Sequence, residues 1–252
     1  MVLRPEGDGA VVAIGQASHA WLSGQLARAW GNERFPAPAP REEVCLGAEQ
    51  HDVGMAEWDL APALNPATGL PTQFFEVERR THLRLWAAAP RLMLTQSRYA
   101  ALLVSLHGTG LYERFPPQTD DPEIARAIDE FHAGQRELQE RLAAELGADW
   151  SELRRNQALL AAWDDLSLAL CQRRVPREVP DVPAAAGRSV AVTLAAAGDT
   201  YTLDPWPLAD DAVEVQVEGR RLQGPFADET TLHAALAVAP VVTLRFALRR
   251  PG

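Results

Sequence analysis

The sequence predicts a mainly α-helical fold with a small antiparallel β-sheet made from the two ends of the chain. Apolar residues recur at helical spacing over residues 15–180, whereas a turn-forming segment at residues 6–9 separates two short apolar runs. Period-two alternation marks the region near the carboxyl terminus. Because a short hairpin is marginal alone, we expect residues 1–14 to join the strands of a mostly β subdomain over 181–252.

The helices are predicted from their apolar spacing and their end signals. Ser18 is the expected N-cap of the first helix, whose apolar residues continue to Trp30. The second helix is expected over 41–54, and the stretch 59–71, which is rich in Pro, Asn and Gly, is expected to be a loop. Further helices are predicted over 76–88, 97–111, 121–146 and 149–174.

Composition changes after the last of these helices. Residues 175–183 contain three prolines and are expected to be a linker, whereas period-two alternation over 213–217 and 242–246 predicts strands. Between those strands, Asp228 is the expected start of a short helix that ends near Ala237. The tail is therefore predicted to be mostly β.

The charge balance excludes extended nucleic-acid binding. All 24 cationic residues are Arg, and 34 acidic residues give a net charge of −10, which repels a phosphate backbone. No apolar run reaches the roughly 18 residues of a membrane span, and Cys45 and Cys171 have neither metal-binding nor secreted-type spacing. We expect a cytoplasmic protein that acts on a small molecule, with no nucleic-acid or membrane partner. The oligomeric state is left open.

Candidate metal ligands lie on separate predicted helices. His51 and Asp52 are adjacent near the end of the second helix, where a loosened last turn lets neighbouring side chains converge on one ion. Four other predicted helices each carry one more candidate: His19, His82, His107 and Asp164. Facing helices of a bundle build metal sites in this way.

Each candidate also has an ordinary structural interpretation. A lone histidine on a helix is commonly a hydrogen-bonded core residue, and His107, next to Gly108, has the position of a residue that caps a helix end. Asp164 is harder to explain, because it follows Trp163 in an apolar helix face and a buried carboxylate needs a cation, a hydrogen bond or a metal. Its neighbour Asp165 is the competing candidate.

The order His, His-Asp, His, His, Asp resembles that of the HD-domain metalloprotein superfamily, a helical fold named for its His-Asp pair. The resemblance implies an HD-type helical domain over 15–180. It also implies four ligands: His19, His51, Asp52 and Asp164. His82 and His107 are similar to the extra ligands of members that hold two metals, in which Asp52 would bridge the two ions.

Three segments of the sequence resemble those of a bacterial domain-of-unknown-function family: residues 15–20, 49–59 and 99–107. That likeness covers most of the chain, including the β tail. It implies a fold but no established activity.

The donor set favours particular metals, and the resemblance to the HD-domain superfamily implies a reaction. Mixed imidazole and carboxylate ligands suit Fe or Mn, with Zn, Ni and Co as alternatives. We expect two such ions and a phosphohydrolase, in which metal-activated water attacks a small phosphate ester or a nucleotide with Asp52 as the catalytic carboxylate. The expected substrate-binding residues are Arg79, Arg80 and Arg84, near His82, and Trp58 as a stacking surface.

Two other hypotheses stay open at this point. The same ligand order serves superfamily members in which two irons activate dioxygen to cleave a C–C or C–P bond. Alternatively, the protein is a non-catalytic metal-binding or partner-binding protein. The sequence contains no GxSxG, Walker, GxGxxG or HExxH motif, which disfavours other catalytic classes.

Overall fold

A layer of helices covers one face of a large β-sheet in the computed structural model, which describes residues 1–252. The helices are α1 (Gln16–Ala29), α2 (Arg41–Glu49), α3 (Ala56–Leu60), α4 (Arg79–Met93), α5 (Arg98–Arg114), α6 (Pro122–Leu146), α7 (Trp150–Gln172) and α8 (Glu229–Val238). The strands are β1 (Val2–Pro5), β2 (Val11–Ile14), β3 (Leu64–Asn65), β4 (Leu70–Pro71), β5 (Arg177–Pro183), β6 (Ser189–Ala197), β7 (Thr200–Asp204), β8 (Ala212–Leu222) and β9 (Val241–Arg249).

The prediction of a mainly α fold with a small antiparallel sheet was wrong. About half of the residues are helical, and seven strands form one curled mixed sheet in the order β1-β2-β8-β9-β7-β6-β5. The sheet is mixed because β7 pairs parallel to β9, whereas the other neighbours are antiparallel.

Three strands of the sheet were not predicted individually, β5, β6 and β7, and for the first two a physical reason is visible. Strand β5 lies in the proline-rich segment interpreted as a linker, but it occupies an edge of the sheet, where a missing N–H donor is tolerated. Strand β6 is rich in alanine, which weakens the contrast between its inner and outer faces. The prolines of β5 and the alanines of β6 therefore explain why these two of the seven strands were not predicted.

Strand β2 links the amino-terminal hairpin to the rest of the sheet. It pairs antiparallel with β8, where Val11 lies opposite Leu222. All four residues of β2 are buried, because Val12 and Ile14 face the main core while Val11 and Ala13 face a smaller apolar cluster that includes residues of α8. Coverage of both faces explains an uninterrupted apolar strand in an antiparallel pair.

The helical layer and the sheet share one hydrophobic core. A single cluster of 42 buried residues includes side chains from α1, α2, α5 and α7 together with residues of the sheet. Helices α1 and α7 pack directly on the strands, and α5 is buried along most of its length, in keeping with the absence of charge between Arg98 and Glu113. No helix of the chain is both long enough and apolar enough to cross a membrane.

Several element ends differ from the sequence prediction. Helix α1 begins at Gln16, and the Ser18 hydroxyl donates a hydrogen bond to the Glu218 carbonyl oxygen over 2.6 Å instead of capping the helix. Helix α2 ends at Glu49, so a tight turn replaces the predicted last turn. The predicted loop over 59–71 contains the end of α3 and the β3-β4 hairpin. Asp149 and Asp228 do cap α7 and α8.

Gly54 lies where this tight turn approaches α4, which gives a stability prediction. A Cβ at Gly54 would overlap the Leu85 carbonyl oxygen and come within 2.9 Å of the Ala89 Cβ. We expect Gly54→Ala to lower the free energy of unfolding by about 2 kcal/mol, because backbone must move to relieve the overlap. Gly134→Ala is the control, since a Cβ there meets nothing within 4 Å. Urea unfolding of both variants tests this, and equal midpoints would contradict it.

Candidate metal centre

Three helices and one turn bring five polar side chains into the buried centre of the helical layer. His19 comes from α1, His107 from α5 and Asp164 from α7, whereas His51 and Asp52 lie in the turn between α2 and the following 3-10 turn. Helix α2 has ended before His51. The side chains of His51 and Asp52 are therefore not forced to point in different directions, as adjacent residues of a helix are, and both face inward. All five are buried, with His19 and His51 having no exposed surface.

The ligand atoms of this group lie within reach of one ion. One atom from each of His19, His51 and Asp164 lies within 4.8 Å of the other two. The His51 Nε2 atom is 3.5 Å from Asp52 Oδ2 and 3.5 Å from Asp164 Oδ1, and the His19 Nε2 atom is 2.7 Å from Asp52 Oδ2. These spacings would let nitrogen and oxygen atoms close around one ion with small side-chain movements.

Hydrogen bonds outside the cluster select the nitrogen that faces it. The Nδ1 atom of His51 lies 2.8 Å from the Ala48 carbonyl oxygen, which only accepts, so Nδ1 carries the proton. The Ser167 hydroxyl donates to the Asp164 carbonyl oxygen, so it accepts from Nδ1 of His19, which is 2.8 Å away. Both histidines therefore present Nε2 inward, as metal-binding histidines do.

Two buried nitrogens of the cluster have no hydrogen-bond partner. They are Nε2 of His51 and Nε2 of His107, which is 3.7 Å from Asp164 Oδ2. A buried polar atom without a partner costs free energy unless something else satisfies it. The unpartnered nitrogens lie beside carboxylates, so the residues present fit a bound cation.

The electrostatics of the cluster also favour a cation. Burial opposes charge on His51, but Asp52 and Asp164 outweigh it and raise the pKa of His51 to about 9. Burial likewise opposes ionisation of Asp164, yet the neighbouring histidines hold its pKa well below the usual range. The pKa of His107 falls to about 4, because burial and the charge on His51 disfavour a second imidazolium. The two ionised carboxylates are therefore only partly neutralised.

Sequence reasoning missed two residues that hold Asp52 in place. The Gln16 side-chain amide donates to Asp52 Oδ2 over 3.0 Å, and the Gln16 backbone N–H donates to the Asp59 carboxylate. Asp59 also lies 3.1 Å from the buried α-amino group of Met1. The sequence did contain an indication of Gln16, because this residue precedes His19 by three positions and so lies on the same helix face.

His82 lies outside the cluster of ligand atoms. Its Nδ1 atom is 2.7 Å from the Tyr112 hydroxyl oxygen, and its Nε2 atom accepts a hydrogen bond from the Trp86 indole over 3.0 Å. Burial and the charge of Arg79 lower the pKa of His82 to about 4, which keeps the ring neutral. An indole N–H can only donate, so the lone pair that a metal would need is occupied.

Removal of the indole donor should make His82 available to a metal. We expect Trp86→Phe to tighten binding of a second equivalent of Mn²⁺ by about fivefold, which corresponds to the net free energy of one hydrogen bond. Tyr112→Phe is the matched control, because it removes the other hydrogen bond and leaves Nε2 occupied. Calorimetric titration of both variants measures the effect. A second equivalent that binds equally in both would contradict a blocking role for Trp86.

The structure separates the two competing aspartates. Asp164 faces the cluster, whereas both carboxylate oxygens of Asp165 accept hydrogen bonds from Arg177 over 2.7 Å. Adjacent residues on a helix point about 100° apart, so only one of the two can enter the site. The ligand candidate is therefore Asp164.

Only one of the four predicted substrate-binding residues lines the cavity beside the cluster. Arg79 does so, with its guanidinium over the Tyr112 ring. Arg80 is exposed and pairs with Glu123 over 2.7 Å, and Arg84 is exposed on the outer side of α4. Trp58 packs against the small apolar cluster near the hairpin. Only Arg79 of the three arginines lines the cavity, because Arg79, Arg80 and Arg84 do not share one face of α4.

The cluster opens into a cavity of about 810 Å³. Asp52, His107 and Asp164 lie at its inner wall, and one face each of α5 and α7 forms its sides. Sequence reasoning missed four arginines that line it: Arg114, Arg154, Arg174 and Arg177. Only Arg154 had a helical signal, since Arg154, Ala158, Ala161 and Asp165 recur on one face of α7.

One comparison with known proteins finds a match. A family model described as protein of unknown function (DUF3891) matches residues 1–224. No curated protein and no solved structure matches the chain. The match covers every residue of the metal centre and of the cavity, and the resemblance to the HD-domain superfamily stays a prediction.

Proposed function

The chain belongs to the family described as protein of unknown function (DUF3891), and since that description states no activity, we propose a function from the chemistry of the site. We propose that the protein is a metal-dependent hydrolase of small phosphate esters. The observation that carries this proposal is the buried group of His19, His51 and Asp164, whose Asp164 lies at the inner wall of a cavity that five arginines line. A substrate phosphate in this cavity would contact the bound metal cation on one side and arginine guanidinium groups on the other.

Each residue of the centre has a separate task in this proposal. His19, His51, Asp52 and Asp164 hold the ion, which supplies a Lewis acid and lowers the pKa of a water molecule when bound. Gln16 and the His19 ring both approach Oδ2 of Asp52, which leaves Oδ1 to accept a proton from the attacking water. The pKa of Asp52 is lowered by its histidine neighbours against the effect of burial, so the carboxylate is ionised and able to accept it.

We propose Fe or Mn as the native metal, because three imidazoles and two carboxylates lie together and the group that could hold a metal contains no cysteine. The first ion would be held by His19, His51, Asp52 and Asp164. A second would share Asp52 and use His107, which has an unpartnered Nε2, and His82 after it leaves Trp86.

The test of the proposed function is phosphate release by protein loaded with Mn²⁺ or Fe²⁺. A panel of aryl and alkyl phosphate monoesters and diesters should include a substrate whose hydrolysis is lost on chelation and restored by metal. The rate should be the same in air and under nitrogen, since hydrolysis consumes no dioxygen. Turnover that requires dioxygen, or the absence of phosphate release with every metal and ester, would overturn the proposal.

Metal uptake should depend on pH through His51. Its pKa of about 9 in the metal-free protein means that binding at lower pH must first displace a proton. We therefore expect the apparent affinity to rise about tenfold per pH unit from pH 7 toward pH 9, with one proton released from His51. His107, with a pKa of about 4, releases none in this range. Titrations in buffers of different ionisation enthalpy count the protons, and a pH-independent affinity would contradict the assignment.

A further inference from the structure

The cavity is a long trough that continues past the metal centre in both directions. On α7 it is lined from Arg154 to Gln172, a length of about 27 Å at 1.5 Å per residue. Asp164 lies near the middle of that length, and the small side chains of Ala161 and Ala169 on either side leave room above the helix. A single phosphate group would fill only the part nearest the cluster.

The charge of the trough is opposite to that of the whole chain. Five arginines line it, and the acidic residues there, apart from the two metal-ligand candidates, are Glu113 and Asp165. The chain as a whole carries a net charge of −10. A local excess of guanidinium groups in an acidic protein marks a surface for a small anion.

Two of these arginines lie beside the Asp165 carboxylate and a third lines the same cavity. We call the three the arginine cluster: Arg114, Arg174 and Arg177. Arg177 makes two hydrogen bonds of 2.7 Å to Asp165, and Arg114 lies 3.8 Å from the same carboxylate. The Arg174 side chain has no ion-pair or hydrogen-bond partner. One carboxylate therefore organises two guanidiniums, and the cluster keeps an excess of two positive charges.

Aromatic side chains line the same trough. Phe115 is 63% exposed and Phe75 is 57% exposed, which is unusual for rings of this size. The Arg114 guanidinium lies over the Phe115 ring, 5.2 Å from its centroid. Exposed rings beside cations suit an organic anion whose body is apolar or aromatic.

We propose that the arginine cluster is a second anion subsite, so that the substrate is an organic phosphate with another anionic group and an apolar body between them. This inference rests on the proposed phosphate-ester chemistry at the metal centre. The cluster adjoins that centre through Asp164 and Asp165, which are consecutive residues of α7. One anionic group binds at the metal while the other displaces water from Arg174 and its neighbours.

The test uses non-hydrolysable probes, a series of α,ω-alkane bisphosphonates of increasing chain length, with alkyl monophosphonates as references. Calorimetry on the Mn²⁺-loaded protein should show one bisphosphonate length that binds about tenfold tighter than its monophosphonate. Arg174→Ala should remove most of that gain and leave monophosphonate binding unchanged. Arg84→Ala, an exposed position outside the trough, should change neither affinity.

Each outcome decides the inference. If no bisphosphonate binds tighter than its monophosphonate, or if the gain survives both Arg174→Ala and Arg114→Ala, the subsite is refuted. If the gain depends on Arg174 but phosphate esters are never hydrolysed, the subsite is supported and the hydrolase proposal alone fails. Arg174 has no partner in the fold, so its replacement tests binding without disturbing an ion pair.

Discussion

Asp164→Asn is expected to weaken metal binding by at least about 100-fold while the protein stays folded. The change keeps the shape of the side chain but removes a negative charge that faces His19, His51 and His107 within 4 Å. An amide oxygen is a weaker metal ligand than a carboxylate, because it carries no negative charge. Competition with a chromogenic chelator measures the loss.

Asp165→Asn is the matched control for this prediction. It is the adjacent residue of the same helix and makes the same chemical change, but its carboxylate pairs with Arg177 instead of facing the cluster. We expect its metal affinity to equal that of the unmodified protein. Equal losses in both variants, or no loss in Asp164→Asn, would show that the cluster is not the site of binding.

Deletion of residues 1–14 is expected to leave a chain that does not fold. The hairpin buries Val2, Val12 and Ile14 in the main core, and such side chains each contribute roughly 1.5–3 kcal/mol. Their sum, about 5–9 kcal/mol, is comparable to the whole stability of a typical domain. The deletion also exposes the edge of β8, because β2 pairs with it.

Circular dichroism and thermal unfolding test the deletion. Gly7→Ala is the control, because it alters the hairpin turn at a position where an added Cβ meets nothing within 4 Å. We expect the deleted chain to lack a cooperative transition and the control to unfold near the temperature of the unmodified protein. A melting curve unchanged by the deletion would show that the hairpin is not part of the core.

Helical periodicity predicted the elements that carry the metal centre. It located α1, α5 and α7 closely enough to place His19, His107 and Asp164 on inward faces, whereas His51 lies in the turn after α2 and not on the predicted helix. It could not show that Trp86 occupies Nε2 of His82, because that hydrogen bond depends on the packing of two side chains one turn apart on α4. Spacing identifies candidate ligands, whereas rotamers and neighbours decide which lone pairs are free.

The sheet was harder to predict than the helices. Pairing between β7 and β9 joins Tyr201 to Leu248 in parallel, and no local pattern specifies a contact between segments so distant in sequence. The arginine cluster was missed for a similar reason. Arg114 ends α5, whereas Arg174 and Arg177 follow α7, and only the tertiary fold places all three in one cavity.

The most direct test of the metal centre is a crystal structure of protein purified without an affinity tag and soaked in Mn²⁺, with diffraction recorded at the absorption edge of the metal. We predict an anomalous peak bonded to Nε2 of His19, Nε2 of His51 and a carboxylate oxygen of Asp164, with Asp52 beside it. A protein that takes up Mn²⁺ elsewhere, or shows no peak among these residues, would contradict the account.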